Sequence, residues 1–170
     1  MSPALRDMIV FQCGWLACVL GGNTGAALAA LVLLPLQALW PGRRQSREWT
    51  LVLLFASVGV AMDLGWQALG LLRFDQQIAL GIPLWLVVLW LLFSGTLFRS
   101  LAFLQQRLLL ASVLGAASGP LSYIAGLRFG AATSSHDTAS IVLAMAPAWA
   151  VLLPLLVFLA RAPAARSESA

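Results

Sequence analysis

Apolar runs of about 20 residues, separated by short polar breaks, fill nearly all of the chain between Met8 and Leu159. One such run, coiled as a helix, spans the roughly 30 Å hydrocarbon core of a bilayer. A succession of them restricts the chain to a polytopic membrane bundle. Composition agrees, with 61% hydrophobic and 9% charged residues, where a soluble domain carries about a quarter charged. The length of 170 residues allows about six crossings with short loops and leaves no room for a soluble domain. The expected fold is therefore all-α: a transmembrane bundle of about six helices. Residues 1–160 form a single transmembrane helical domain, and 161–170 form a short polar tail.

The breaks place the helices. Met8–Trp40 is about 33 residues, roughly 50 Å as one helix and too long for a single crossing. Gly21-Gly22-Asn23-Thr24-Gly25 divides it into a hairpin of Leu5–Leu20 and Thr24–Trp40, with Asn23 or Thr24 capping the second arm. The third helix runs from Trp49 to Leu72. Pro83 opens the fourth, which continues through Phe103 until Gln105-Gln106-Arg107 end it. Leu108–Leu127 is the fifth, and Asp137 is the expected N-cap of the sixth, Thr138–Leu159.

Charge orients the bundle. The positive charge is all arginine, and six crossings put eight arginines on one side (Arg6, Arg43, Arg44, Arg47, Arg99, Arg107, Arg161 and Arg166). Only Arg73 and Arg128 lie on the other. The positive-inside rule then places both termini and the tail in the cytoplasm of a bacterial inner membrane, as a multi-pass protein. Trp40 and Trp49 would form one interfacial belt, and Trp66 and Trp85 the other. Ile9–Leu20 has the length of a signal-peptide core, but Asp7 weakens the flank and no A-x-A site follows, so no cleavage is expected. The arginines occur singly or in threes between apolar runs, which points to anionic headgroups and excludes a nucleic-acid surface.

One carboxylate breaks the apolar pattern. Asp63 lies nine residues inside the end of its helix at Leu72, about 13 Å deep. There it must be protonated, paired or facing water. Its neighbours at helical spacing are small or polar (Ala56, Gly59, Trp66, Gln67 and Gly70), so it should face the bundle interior with Gln67 one turn above. In that setting it serves as a proton carrier, a neutral hydrogen-bond donor or a polar clamp between helices. A second pattern lies on the fifth helix. Ser112, Gly115, Gly119, Ser122 and Gly126 form a stripe with little side-chain bulk, and Pro120 frees the Ala116 carbonyl. At matching depths, the third and fifth helices should pack along this stripe, with Asp63 near that carbonyl, Ser122 and Tyr123. Asn23, in the hairpin turn, completes the intramembrane polar residues. The packing positions are Gly115, Gly119, Pro120 and Gly126.

Cofactor and metal motifs are not seen: Cys13 and Cys18 sit on different faces of one helix, and His136 is the single histidine. No catalytic residues are assigned.

Pro83–Leu104, Gly115–Ala131 and Trp149–Leu156, with Phe11–Gly22 and the single Asp63, carry a resemblance. Its most specific part is Gly119-Pro120-Leu121-Ser122-Tyr123. The chain resembles the small multi-spanning bacterial inner-membrane family catalogued as domain of unknown function 2878. That resemblance implies no activity and no functional residues; it implies gene neighbourhoods holding lipid-modifying enzymes. The reading is a non-catalytic accessory protein that binds membrane lipid or a membrane-protein partner, with a homodimer left open. The alternative is a small proton-coupled transporter or lipid translocator using Asp63. An intramembrane enzyme would need a second catalytic group beside it.

Overall fold

The computed structural model describes residues 1–39, 46–78 and 81–161. Its first element, helix α1 (Pro3–Leu39), keeps helical dihedrals throughout except at Gly22, where φ is 55° and ψ is −143°. The chain reverses there. In an unbroken helix Gly14 and Leu33 would stand roughly 28 Å apart, yet a β-carbon on Gly14 would lie 3.4 Å from Leu33 Cδ1. A β-carbon on Gly25 would likewise collide with the Ala17 carbonyl. The two arms are thus a tight hairpin turned on one residue that only glycine tolerates. Because one residue makes the turn, α1 is a single element, and the described residues hold five helices rather than about six.

Asn23 takes its bonds across the turn rather than along the second arm. Its Nδ2 donates to the Gln76 carbonyl at 2.8 Å, and its backbone N–H donates to Gln76 Oε1 at 2.9 Å. Its Oδ1 accepts from the Trp85 backbone N–H at 3.2 Å. Gln76 supplies these partners from a left-handed backbone, φ 57°.

Helix α2 (Ser46–Ala68) stops four residues short of Leu72, and Gly70 turns the chain at φ 74°. Helix α3 (Leu84–Thr96) is shorter than its apolar sequence implies, with Pro83 as its N-cap. Its 13 residues span about 20 Å. Gly95 and Thr96 are weak helix formers, and Thr96 Oγ1 donates to the Phe93 carbonyl at 2.6 Å, drawing the backbone out of the helix. The turn that follows is caught by Asp7, whose Oδ2 accepts from Ser100 Oγ at 2.7 Å and from its backbone N–H at 3.3 Å. A 3-10 turn, Ala102–Gln106, leads into helix α4 (Leu108–Arg128). Helix α5 (Thr138–Leu159) begins on the Asp137 cap, whose Oδ1 accepts from the Ser140 N–H at 2.7 Å.

Among the described residues four helices are long and apolar enough to cross a membrane: both arms of α1 taken together, then α2, α4 and α5. The chain is a transmembrane helix bundle. It consists of two packs, with α1 and α2 against α3, and α4 against α5. Between them runs a short antiparallel ladder, β1 (Arg73–Phe74) with β2 (Ala132–Thr133), which joins the α2–α3 loop to the α4–α5 loop. Arg73 and Arg128 lie at this end. Arg6, Arg47, Arg99, Arg107 and Arg161 lie at the other, where Arg47 Nη2 donates to the Arg161 carbonyl at 3.0 Å. Trp49 is exposed, as an interfacial residue would be, but Trp85 is buried against Phe74 and belongs to the core. The expected arm end at Trp40, the arginines at 43 and 44, and the tail beyond 161 fall outside the described residues.

Candidate functional site

Asp63 is fully buried, and its carboxylate is held by donors from two other helices. The Trp90 indole N–H from α3 donates to Oδ2 at 2.5 Å, and the Tyr123 hydroxyl from α4 donates to Oδ1 at 2.5 Å. Asp63 and Tyr123 each lie five residues from the end of their helices nearest the ladder, so both stand about 8 Å below those ends.

Glycines one turn away make the site possible. Gly59 precedes Asp63 by four residues, and a β-carbon there would run into the Trp90 indole. Gly119 precedes Tyr123 by four, and a β-carbon there would run into the Trp149 indole. Each glycine is a slot in which a tryptophan lies flat against the helix, the close approach that small residues permit in membranes. The two indoles stack on one another, centroids 5.6 Å apart and planes at 9°. Phe93 meets both edge-on, at 5.5 Å from Trp90 and 5.8 Å from Trp149. The Tyr123 ring stands edge-on to Trp149 at 6.4 Å. The indole nitrogens of Trp66 and Trp149 lie near the Tyr123 hydroxyl, but neither meets hydrogen-bond geometry, and both are buried without a partner.

This cluster floors a cavity of about 450 Å³. Helix α1 forms one wall with Phe11, Gln12 and Trp15; α4 forms the other with Gly119, Ser122 and Gly126. Phe74 and Ala132, one from each strand of the ladder, roof it. On the rim, Gln12, Ser118, Leu121 and Ser122 are exposed. Gln12 and Ser118 lie near the middle of the first arm of α1 and of α4, so the mouth opens sideways at mid-membrane depth. Trp15 Nε1 donates to Ser122 Oγ across this gap at 3.3 Å.

Such a hollow is of ligand size. The sequence profile of a family described as a protein of unknown function, DUF2878, matches residues 4–155. The chain belongs to the DUF2878 family. Among curated proteins no match was found, and among solved structures none was found either.

In this DUF2878 protein the residues singled out by sequence do not form one site. Tyr123 reaches Asp63, whereas Ser122 points to the cavity mouth and Trp15. Gln67, one turn above Asp63, turns to the loop instead: its Nε2 donates to the Gly81 carbonyl at 3.0 Å, and its Oε1 accepts from Gln77 Nε2 at 3.1 Å. Asn23 stays in the hairpin turn. The stripe on α4 is split as well. Gly115 and Gly119 face Trp149 of α5, not the helix of Asp63, and Ser112 Oγ donates to the Ala150 carbonyl at 2.7 Å. Pro120 is buried within α4, and Gly126 borders open space. The bulk that α4 lacks is filled by a tryptophan on one side and by the cavity on the other.

Sequence reasoning missed Trp90 and Trp149. For Trp90 the available signal was its position: an indole N–H in mid-helix, deep in hydrocarbon, needs an acceptor, and Asp63 is the strongest acceptor at that depth. Trp149, whose indole nitrogen has no partner, gave no such signal.

Proposed function

We propose that this protein is a non-catalytic component of a membrane-lipid pathway in the bacterial inner membrane, which holds a hydrophobic ligand in the cavity above Asp63. The observation that carries this reading is the sideways mouth between α1 and α4, bordered by Gln12, Ser118, Leu121 and Ser122. A chain that lies in the bilayer reaches such an opening without leaving the hydrocarbon. The aromatic walls favour it. Arginine asymmetry supports cytoplasmic termini. Reporters fused at each terminus test that orientation, and a periplasmic C-terminus would overturn it.

Native mass spectrometry of the protein released from mild detergent tests the binding. A bound species of lipid mass is expected, and it should be lost when Gly126→Leu fills space along the α4 wall of the cavity. Protein that flies without adduct under every gentle condition would overturn the reading.

A second reading, a small proton-coupled transporter or translocator, is favoured by the seclusion of Asp63 on the cavity. Asp63→Asn separates the two: a transporter loses proton-coupled flux, and a holding protein does not.

A further inference from the structure

When Asp63 is ionised, nothing on the walls around it offsets its charge. Of the residues that line the cavity, Asp63 is the single charged one; none is an arginine, and the chain has no lysine. Its two donors, Trp90 Nε1 and Tyr123 Oη, are neutral. They satisfy one lone pair on each oxygen and leave further acceptor capacity, but they do not cancel a charge. A carboxylate in a low-dielectric interior is stabilised by a counter-ion, and no described cationic side chain pairs with it. Eight aromatic residues line the same hollow, among them Trp15, Trp85, Phe93 and Trp149. Aromatic rings attract cations through their quadrupoles, most strongly where water is excluded. An anionic or phosphate-bearing headgroup would instead meet Asp63 as a like charge with no arginine to offset it.

We propose that the cavity selects a hydrophobic organic cation, which enters between α1 and α4 and lies on the aromatic wall that covers Asp63, within the field of its carboxylate. The proposal rests on the ligand-holding reading above and adds the class of ligand. The cation and a proton are alternative partners for one carboxylate. Tyr123 is the one other titratable group on the wall; α1, α3, α5 and the ladder contribute none. Acidification should therefore displace the cation through Asp63 itself. The rim is neutral, with Gln12, Ser118 and Ser122 beside Leu121, so it holds no positive charge that would repel a cation.

The test titrates the purified protein in a neutral detergent with tetraphenylphosphonium, read by the fluorescence of the cavity tryptophans. Tetraphenylborate, matched in size and opposite in charge, is the comparison. Saturable quenching by the phosphonium alone is expected. Asp63→Asn should weaken it at least tenfold, Asp63→Glu should retain it, and lowering the pH should weaken it in the wild type. Gly126→Leu, placed where a side chain meets open space, should weaken binding at unchanged melting temperature. Equal saturation by tetraphenylborate would overturn the proposal, as would undiminished phosphonium binding in folded Asp63→Asn. Should that variant not fold, the two wild-type titrations and Gly126→Leu still decide. A wild type that carries lipid in native mass spectrometry but ignores the phosphonium defeats this proposal and leaves the ligand-holding reading intact. A wild type that binds neither defeats both.

Discussion

Gly59 stands one helical turn before Asp63, and that spacing brings the Trp90 indole onto the carboxylate. A β-carbon at 59 would push the ring away from the α2 backbone and so withdraw its N–H from Oδ2. Gly119 likewise stands one turn before Tyr123 and receives Trp149, which meets the Tyr123 ring edge-on rather than through a hydrogen bond. Each glycine thus sets the helix spacing within its own pack, α2 against α3 and α4 against α5, and the two indoles stack on each other where the packs meet.

Gly59→Leu and Gly119→Leu should therefore each destabilise the bundle, by about 1–3 kcal/mol from overpacking. Gly126→Leu should cost little, since its surroundings are open. Thermal unfolding in detergent, followed by labelling of the buried Cys18 thiol, ranks the three. Equal melting temperatures for Gly119→Leu and the wild type would refute the tryptophan slot.

Substitutions at Asp63 should separate hydrogen bonding from charge. Asp63→Leu leaves the Trp90 N–H and the Tyr123 hydroxyl buried without an acceptor, at about 1–3 kcal/mol for each unmet group. Asp63→Asn keeps an acceptor oxygen and should retain more of the stability. Guided by bonds between membrane helices, where a single pair averages about 0.6 kcal/mol, the gap between the variants should be modest but resolvable in melting temperature. A leucine variant as stable as the asparagine variant would show that the two donors find other partners.

The hairpin turn makes a sharper demand. At Gly22, φ is 55° and the space beside it is occupied by the Gln76 amide. Gly22→Ala should cost about 1–3 kcal/mol for backbone strain and loosen the Asn23–Gln76 contacts. Gly21→Ala, with nothing near its β-carbon position, is the control and should melt like the wild type.

Outside the membrane, Asp137 gives a pH dependence with a defined sign. The Ser140 backbone N–H it caps holds its carboxyl below the usual carboxylate range. Its folded value lies below its unfolded one, so the cap's contribution is present above the unfolded value, about 3.9. It is lost as pH falls through the folded value. Asp137→Asn should keep the cap without that acid dependence, and Asp137→Ala should lose the cap at every pH. Amide exchange in the first turn of α5, measured between neutral and strongly acidic pH, distinguishes them.

Much of the architecture is legible in the sequence because a bilayer is a demanding solvent: run length, arginine position and the glycine cluster at 21–25 place the helices and the hairpin. The end of α3 was not legible. Pro83–Phe103 reads as one apolar run, and only the Thr96 hydroxyl and the distant Asp7 contact to Ser100 show why the helix stops. Asp63 stood out because a carboxylate in hydrocarbon is conspicuous, but its partners did not. Glycines on α4 look alike in sequence, whether they receive Trp149, as Gly115 and Gly119 do, or border a void, as Gly126 does. That choice is made by residues on other helices, which helical periodicity alone does not contain.

The short ladder of Arg73–Phe74 with Ala132–Thr133 has a mechanical consequence. It pins the two packs to each other at one end, as a clip holds the corner of two boards. With the Tyr123–Asp63 bond below it and the Arg47–Arg161 bond at the opposite end, the ladder fastens the packs at three depths, so the slit beside Trp15 is framed by walls that are tied above and below it.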